Sequence, residues 1–150
     1  MEAAREEINV ILVEDNPNDA ELTMRALRKS VARERLAYAD DGVKAIDLLF
    51  GADGLLAKSK IRLPRMILLD LKLPKVDGLE VLRRIKSDER TRQIPVVVLT
   101  SSKEERDVEE SYRLGANSYL VKPVGFAEYV SAVEAAAGYW LALNQPPGGG

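Results

Sequence analysis

The sequence predicts an α/β protein, a three-layer doubly wound sandwich in which five helices cover a five-stranded parallel sheet. Three observations carry this. Short apolar runs bounded by breakers, above all Met66-Ile-Leu-Leu69 and Ile94-Pro-Val-Val-Val-Leu99, read as strands buried on both faces, as in parallel sheets. Such runs alternate with segments of helical periodicity, the pattern of right-handed crossovers. The length of 150 residues is that of one ordinary domain, with no inserted linker to divide it.

Ile8-Asn-Val-Ile-Leu-Val13 is the first strand, and it closes on Glu14 and Asp15. Asn16-Pro17 starts a helix, since Asn caps well and Pro fits the first helical position. Ala20, Met24, Leu27 and Val31 repeat at helical spacing, so this helix is expected over about 17–30. Leu36-Ala-Tyr-Ala39 is a short second strand. Asp40-Asp41 can cap the second helix, with Val43, Ile46 and Leu49-Phe50 on its buried face. Gly51 to Pro64 exceeds the usual connection length and reads as an exposed excursion. Strand three is Met66–Leu69; the third helix begins near Gly78 and buries Leu79, Leu82 and Ile85. Ile94–Leu99 closes on Thr100, Ser101 and Ser102. Ser102 and Glu105 have capping-box spacing for a fourth helix that ends at Gly115. Val108, Tyr112 and Leu114 are nearly its only large apolar residues, which predicts light anchoring. Ser118–Val121 is the fifth strand, closing on Lys122-Pro123, and the last helix runs from about Phe126 to Leu143. The domain is expected over 8–143, with flexible flanks at 1–7 and 144–150.

Composition narrows the chemistry. The chain is 46% apolar and 31% charged, ordinary for a soluble globular protein. With no cysteine and no histidine it has neither thiolate nor imidazole ligands, and no phosphohistidine of its own. A net charge of −2 offers no nucleic-acid footprint. The charged Met1–Glu7 segment is unlike a signal peptide, and no apolar stretch reads as a membrane span, so a cytoplasmic location is expected.

Four of the five strand ends carry chemistry: Glu14-Asp15, Asp70, Thr100 and Lys122. Singly, each reads as a helix cap or a solvated side chain. In a doubly wound sheet, however, the carboxyl ends of the strands meet at one edge, where ligands bind. Three carboxylates there repel one another unless a cation shares the site. Oxygen-only donors favour Mg²⁺ or Mn²⁺. A lysine and a hydroxyl aimed at the same point suit a phosphoryl group, and an Asp can be the nucleophile.

Val13-Glu-Asp15, Leu69-Asp-Leu-Lys-Leu-Pro74 with Asp77-Gly78, Val98-Leu-Thr-Ser101 and Val121-Lys-Pro123 resemble, in order and spacing, the motifs of response-regulator receiver domains of two-component signalling. The resemblance covers about residues 8–140. It implies a flavodoxin-like sheet of order 2-1-3-4-5, with Asp70 as the phosphoacceptor. It further implies that Glu14, Asp15, Asp70 and the backbone carbonyl of Lys72 hold Mg²⁺ or Mn²⁺, and that Thr100 and Lys122 contact the phosphoryl group. Tyr119 matches the switch aromatic that turns inward as Thr100 is drawn toward the phosphate, and Lys122–Pro123 is expected to be cis. Glu14-Asp-Asn-Pro-Asn-Asp-Ala-Glu-Leu22, the long loop before strand three, Leu114-Gly-Ala-Asn117 and Tyr139-Trp140 are similar to the phytochrome-associated single-domain regulators. That likeness implies a sensor histidine kinase of the bacteriophytochrome type as partner. Position 72 departs from that subgroup, being Lys where Asn is more frequent.

Other functions fit less well. A haloacid-dehalogenase-type phosphohydrolase needs a second Asp two residues after the nucleophile, where Lys72 stands. A flavin phosphate wants Gly, Ser or Thr after strand one, where this chain is acidic. A DNA-binding regulator needs a second, basic domain. A degenerate receiver serving as a phosphorylation-independent scaffold is the remaining alternative. The last helix also predicts a homodimer, because its apolar residues exceed one stripe. Phe126, Val130, Val133 and Ala137 form the expected core stripe, which leaves Tyr129, Ala132, Ala136, Tyr139, Trp140 and Leu143 for an interface.

Overall fold

The computed structural model describes residues 7–58 and 62–147. Five parallel strands form one sheet in the order β2-β1-β3-β4-β5, with β1 at Val10–Val13, β2 at Leu36–Ala39, β3 at Met66–Leu69, β4 at Val96–Thr100 and β5 at Ser118–Val121. The central register aligns Val10 with Met66 and Val13 with Leu69, so β1 and β3 end level. Every residue of β1, β3 and β4 is buried, as continuous apolar runs require.

Side-chain alternation divides the core into two layers. Ile11, Val13, Ile67, Leu69, Val96 and Val98 face one way, onto α2 (Gly42–Phe50) and α3 (Gly78–Ser87). Val10, Leu12, Met66, Leu68, Val97 and Leu99 face the other way, onto α1 (Pro17–Leu27) and α5 (Phe126–Ala137). Asn16 caps α1, its side chain accepting from the amides of Asn18 and Asp19, with Pro17 at the first helical position. Asp41 and Asp77 cap α2 and α3 in the same way. Gly78 is required sterically, since a Cβ there would lie 2.3 Å from the carbonyl oxygen of Asp70. The turn after β3 thus packs directly on the start of α3.

Several expectations change. α1 ends at Leu27 rather than near residue 30, and a single 3₁₀ turn at Arg33–Arg35 leads into β2. Val43 faces solvent, whereas Ala45 and Leu49 carry the buried face of α2. The stretch after α2 is not simply exposed. Leu55, in a 3₁₀ turn at Leu55–Ala57, is buried, and Leu63 packs against the α2–α3 layer.

The fourth helix, α4 (Glu105–Arg113), does not use the expected capping box. Ser102 Oγ instead donates to Asp107 Oδ2 at 2.6 Å and accepts from the Glu104 amide at 3.3 Å. Gly115, at φ 110°, ends this segment in a conformation that favours glycine. Ser111 is the only fully buried residue of α4, in keeping with light anchoring.

The last helix is α-helical over Phe126–Ala137 and continues as a π-helix over Gly138–Leu143. Its expected phase is corrected. Phe126 is 66% exposed, while Tyr129 is 4% exposed and sits in the core with Val133 and Ala137. Tyr129 is therefore no interface residue. Its hydroxyl meets the fully buried Thr23 Oγ1 at 2.9 Å, a partner that lets a tyrosine enter the core. Trp140 packs partly against the same layer, whereas Tyr139 and Leu143 are exposed. Ala132 and Ala136 are half-buried. Residues 1–6 of the expected leader and 148–150 of the expected tail lie outside the described residues; Glu7 forms an ion pair with Arg35 at 3.1 Å. No helix among the described residues is long and apolar enough to cross a membrane.

Candidate phosphoryl-acceptor site

The strand order places the site. From β1 the chain crosses to β2 on one side, and from β2 it passes over β1 to β3 on the other, so the crossovers part between the ends of β1 and β3. Glu14 and Asp15 follow β1 there, and Asp70 follows β3 directly beside them. Thr100 ends β4 and Lys122 follows β5. The sheet thus gathers every strand-end residue singled out in the sequence onto one edge.

Glu14 and Asp70 are buried at 2% and 5% exposure, while Asp15 is exposed. Carboxylate oxygens of all three lie within 4.8 Å of one another. So close a set of carboxylates, with no nitrogen or sulfur donor, fits a hard cation such as Mg²⁺ or Mn²⁺. The remaining acceptors of the buried acids are occupied. Asn16 N–H donates to Glu14 Oε2 at 3.1 Å, and Lys72 N–H to Asp70 Oδ1 at 3.2 Å. The Lys72 side chain points to solvent. Its amide, not its ammonium, is what touches Asp70.

Lys122 supplies the countercharge. Its Nζ lies 2.7 Å from Glu14 Oε1, 2.9 Å from Asp70 Oδ2 and 2.9 Å from Asp19 Oδ2. Burial opposes its charge, but its interactions with three accepting carboxylates outweigh burial and hold its pKa above the ordinary lysine value. Glu14 moves to about 7, pushed up by burial and by Asp70 and drawn back by the hydrogen bond from Lys122. Asp19 was not anticipated in the sequence. It lies in the first turn of α1, four residues beyond Asp15, and that spacing was its only signal.

Thr100 is fully buried, and its hydroxyl oxygen receives only a long contact, 3.5 Å, from the Ser102 amide. Tyr119 is half-buried against the α2–α3 layer and donates its hydroxyl to the Ser102 carbonyl at 3.0 Å. The two expected switch residues therefore share one loop, residues 101–104, as their common neighbour. Among the described residues no peptide bond is cis, so Lys122–Pro123 is trans, contrary to expectation. An X–Pro amide prefers trans by only about 0.5–1 kcal/mol, so a motif does not fix its isomer. Beside Lys122 a hollow of about 400 Å³ opens to solvent between Asp19, Leu22, Pro123, Phe126 and Tyr129.

Comparison with known proteins agrees with this geometry. The family model "Response regulator receiver domain" matches residues 10–134. "Probable methanogenesis regulatory protein FilR2" of Methanothrix harundinacea is 46% identical over 139 residues, covering 93% of this chain and 87% of that protein. Response regulator Rcp1 of Synechocystis is 39% identical over 132 residues, covering 88% of each. The Mn²⁺-bound structure of Rcp1 superposes with a TM-score of 0.80, covering 93% of this chain and 99% of that one. The phosphorylated cyanobacterial phytochrome response regulator RcpA superposes with a TM-score of 0.84 at 38% identity, covering 94% of this chain and 99% of that one. Since the match to the family model spans all five strands and takes in every strand-end residue of the site, this chain belongs to the response regulator receiver domain family.

Proposed function

We propose that this protein is a single-domain response regulator that accepts a phosphoryl group from a sensor histidine kinase onto Asp70, with Mg²⁺ or Mn²⁺ bound, and relays the signal by a change of conformation. The observation that carries the reading is the Lys122 ammonium 2.9 Å from Asp70 Oδ2, beside a cluster of three carboxylates. An Asp70 oxygen is the nucleophile: its bond to phosphorus forms as the phosphorus–nitrogen bond of the donor phosphohistidine breaks, and the imidazole leaves with a proton. Lys122 faces the oxygens on which charge gathers, and the Thr100 hydroxyl stands ready to donate to one of them. Glu14, Asp15, Asp70 and the Lys72 carbonyl would hold the cation. When bound, it neutralises charge on the carboxylates and the phosphoryl oxygens.

Thr100 and Tyr119 carry the switch, through the loop over residues 101–104 to α4. A phytochrome-type kinase as donor is supported by the likeness to RcpA and Rcp1. The likeness to FilR2 supports a second reading, a sensor of another kind acting on the same site. A homodimer through the carboxyl-terminal helix is supported by exposed Tyr139 and Leu143. The receiver reading is tested by intact mass after incubation with a small acyl- or phosphoramidate donor. Wild type gains one phosphoryl group only when Mg²⁺ or Mn²⁺ is present, and Asp70→Asn gains none. Equal labelling of the variant refutes Asp70, and a protein that never labels favours the scaffold alternative.

A further inference from the structure

Three carboxylates surround the Lys122 ammonium: Asp19 and Asp70 each accept a hydrogen bond at 2.9 Å, and Glu14 Oε1 lies 2.7 Å away. Two of these acids, Glu14 and Asp70, belong to the cation cluster; the third, Asp19, does not. Asp19 comes to the ammonium from a different element, the first turn of α1. Its amide is held by the Asn16 cap at 3.0 Å, and its carbonyl accepts from Thr23 Oγ1 at 2.7 Å. The backbone that carries this carboxylate is thus pinned on both sides, to the cap and to the buried Thr23–Tyr129 pair. Its side chain is only 32% exposed, and it borders the hollow beside Lys122.

A phosphoryl group on Asp70 needs the Lys122 ammonium, and Asp19 holds one of its N–H groups at 2.9 Å from outside the cation cluster. We propose that Asp19 is a positioning residue that holds the Lys122 ammonium and competes with the incoming phosphoryl group for it, slowing phosphorylation of Asp70. The inference rests on the assignment of Asp70 as phosphoacceptor. Two effects act in the same direction. The Asp19 carboxylate shares the ammonium with the phosphoryl oxygens and draws it toward α1, and it stands beside the new anion. Glu14 cannot take this part, because its other oxygen is bound to the Asn16 amide and it belongs to the cation cluster.

Asp19→Asn retains an oxygen for Lys122 and removes the charge; Asp19→Glu retains the charge. With a small anionic phosphodonor and Mg²⁺, Asp19→Asn is expected to label about threefold to tenfold faster than wild type below donor saturation, with Asp19→Glu within about twofold. The Nζ resonance of Lys122 should move in Asp19→Asn while backbone amides of β1 and β3 stay in place. That is a change that damage to α1 alone would not produce. Thermal melting of both variants near wild type shows that the helix is intact. Asp70→Asn runs alongside. If it labels like wild type, the phosphoacceptor assignment falls, and this inference with it. If Asp70→Asn stays blank while Asp19→Asn labels no faster than wild type, or the Lys122 resonance does not move, the role of Asp19 alone is overturned.

Discussion

Lys122 is 9% exposed and still charged, because the carboxylates around it repay the desolvation of its ammonium. Its loss should therefore be felt twice. Lys122→Ala leaves Glu14 and Asp70 buried without a countercharge, so labelling is expected to fall by about 10²-fold or more, with stability lowered by about 3 kcal/mol in the absence of cation. Lys122→Arg should not restore labelling fully, because a planar fork cannot place three short bonds as a compact ammonium does. Wild-type labelling by Lys122→Ala would remove Lys122 from the chemistry. Glu14 gives a pH test. Its pKa stands at about 7 in the folded protein, above the unfolded value of 4.5, so the folded state binds more protons between these limits. The contribution of Glu14 to the stability of the cation-free protein should be fully present below the lower limit and be lost as pH rises through about 7. Glu14→Gln should flatten this slope. Mg²⁺ should raise the melting temperature more at pH 7.5 than at pH 5, since protons compete with the cation for the same oxygens. Identical pH profiles of wild type and Glu14→Gln between about pH 5 and 8 would contradict the raised pKa of Glu14. The strand-end residues were legible because apolar runs fix where a strand stops. Asp19 was not, because one acid in the first turn of a helix is ordinary and only the folded chain brings Lys122 to it.

Among the elements, α4 differs most from its neighbours. α3 buries Val81, Leu82 and Ile85, whereas α4 buries only Ser111, whose hydroxyl has no hydrogen-bond partner among the described residues. An unpartnered buried hydroxyl destabilises, so Ser111→Ala is expected to be neutral or to stabilise by about 1 kcal/mol in chemical denaturation. A loss of more than about 1 kcal/mol would mean that the hydroxyl is paired in solution. Hydrogen exchange should find α4 the least protected core helix before phosphorylation, and altered after it. Protection equal to that of β3 and unchanged on phosphorylation would contradict the switch. Sequence reasoning found the light packing of α4, because polarity is a composition property. It misjudged the phase of α5. A helix apolar on all sides carries no phase signal, and the choice of Tyr129 over Phe126 depends on Thr23 of α1 as hydrogen-bond partner. Val43 was misplaced on α2 for a related reason, since its buried face is set by the small Ala45 as much as by Leu49.

At the scale of the molecule, the sheet order makes one crevice, and the carboxyl-terminal helix leaves one apolar face uncovered. Tyr139 stacks edge-on against Trp140, with ring centroids 4.8 Å apart, while Leu143 stands 77% exposed. In the proposed dimer, Tyr139→Ala and Leu143→Ala should each weaken association about tenfold while leaving monomer stability near wild type. Trp140→Ala should lower stability as well, because the ring packs partly on the core. A monomeric mass by light scattering at micromolar concentration, with and without phosphorylation, would rule the dimer out. The layered architecture and the converging edge followed from the alternation of strands and helices, and the strand order from the resemblance to receiver domains. The isomer of Lys122–Pro123 and the packing of Leu55 did not, since both depend on contacts between distant segments.

Borohydride reduction of the phosphorylated protein, followed by peptide mapping, tests whether the phosphoryl group resides on Asp70. Hydride cleaves an aspartyl phosphate at its acyl carbon and leaves homoserine in place of aspartate. Homoserine is expected at position 70 alone, dependent on both phosphodonor and divalent cation. Reduction at Asp15 or Asp19, or none despite a gain in intact mass, would contradict it.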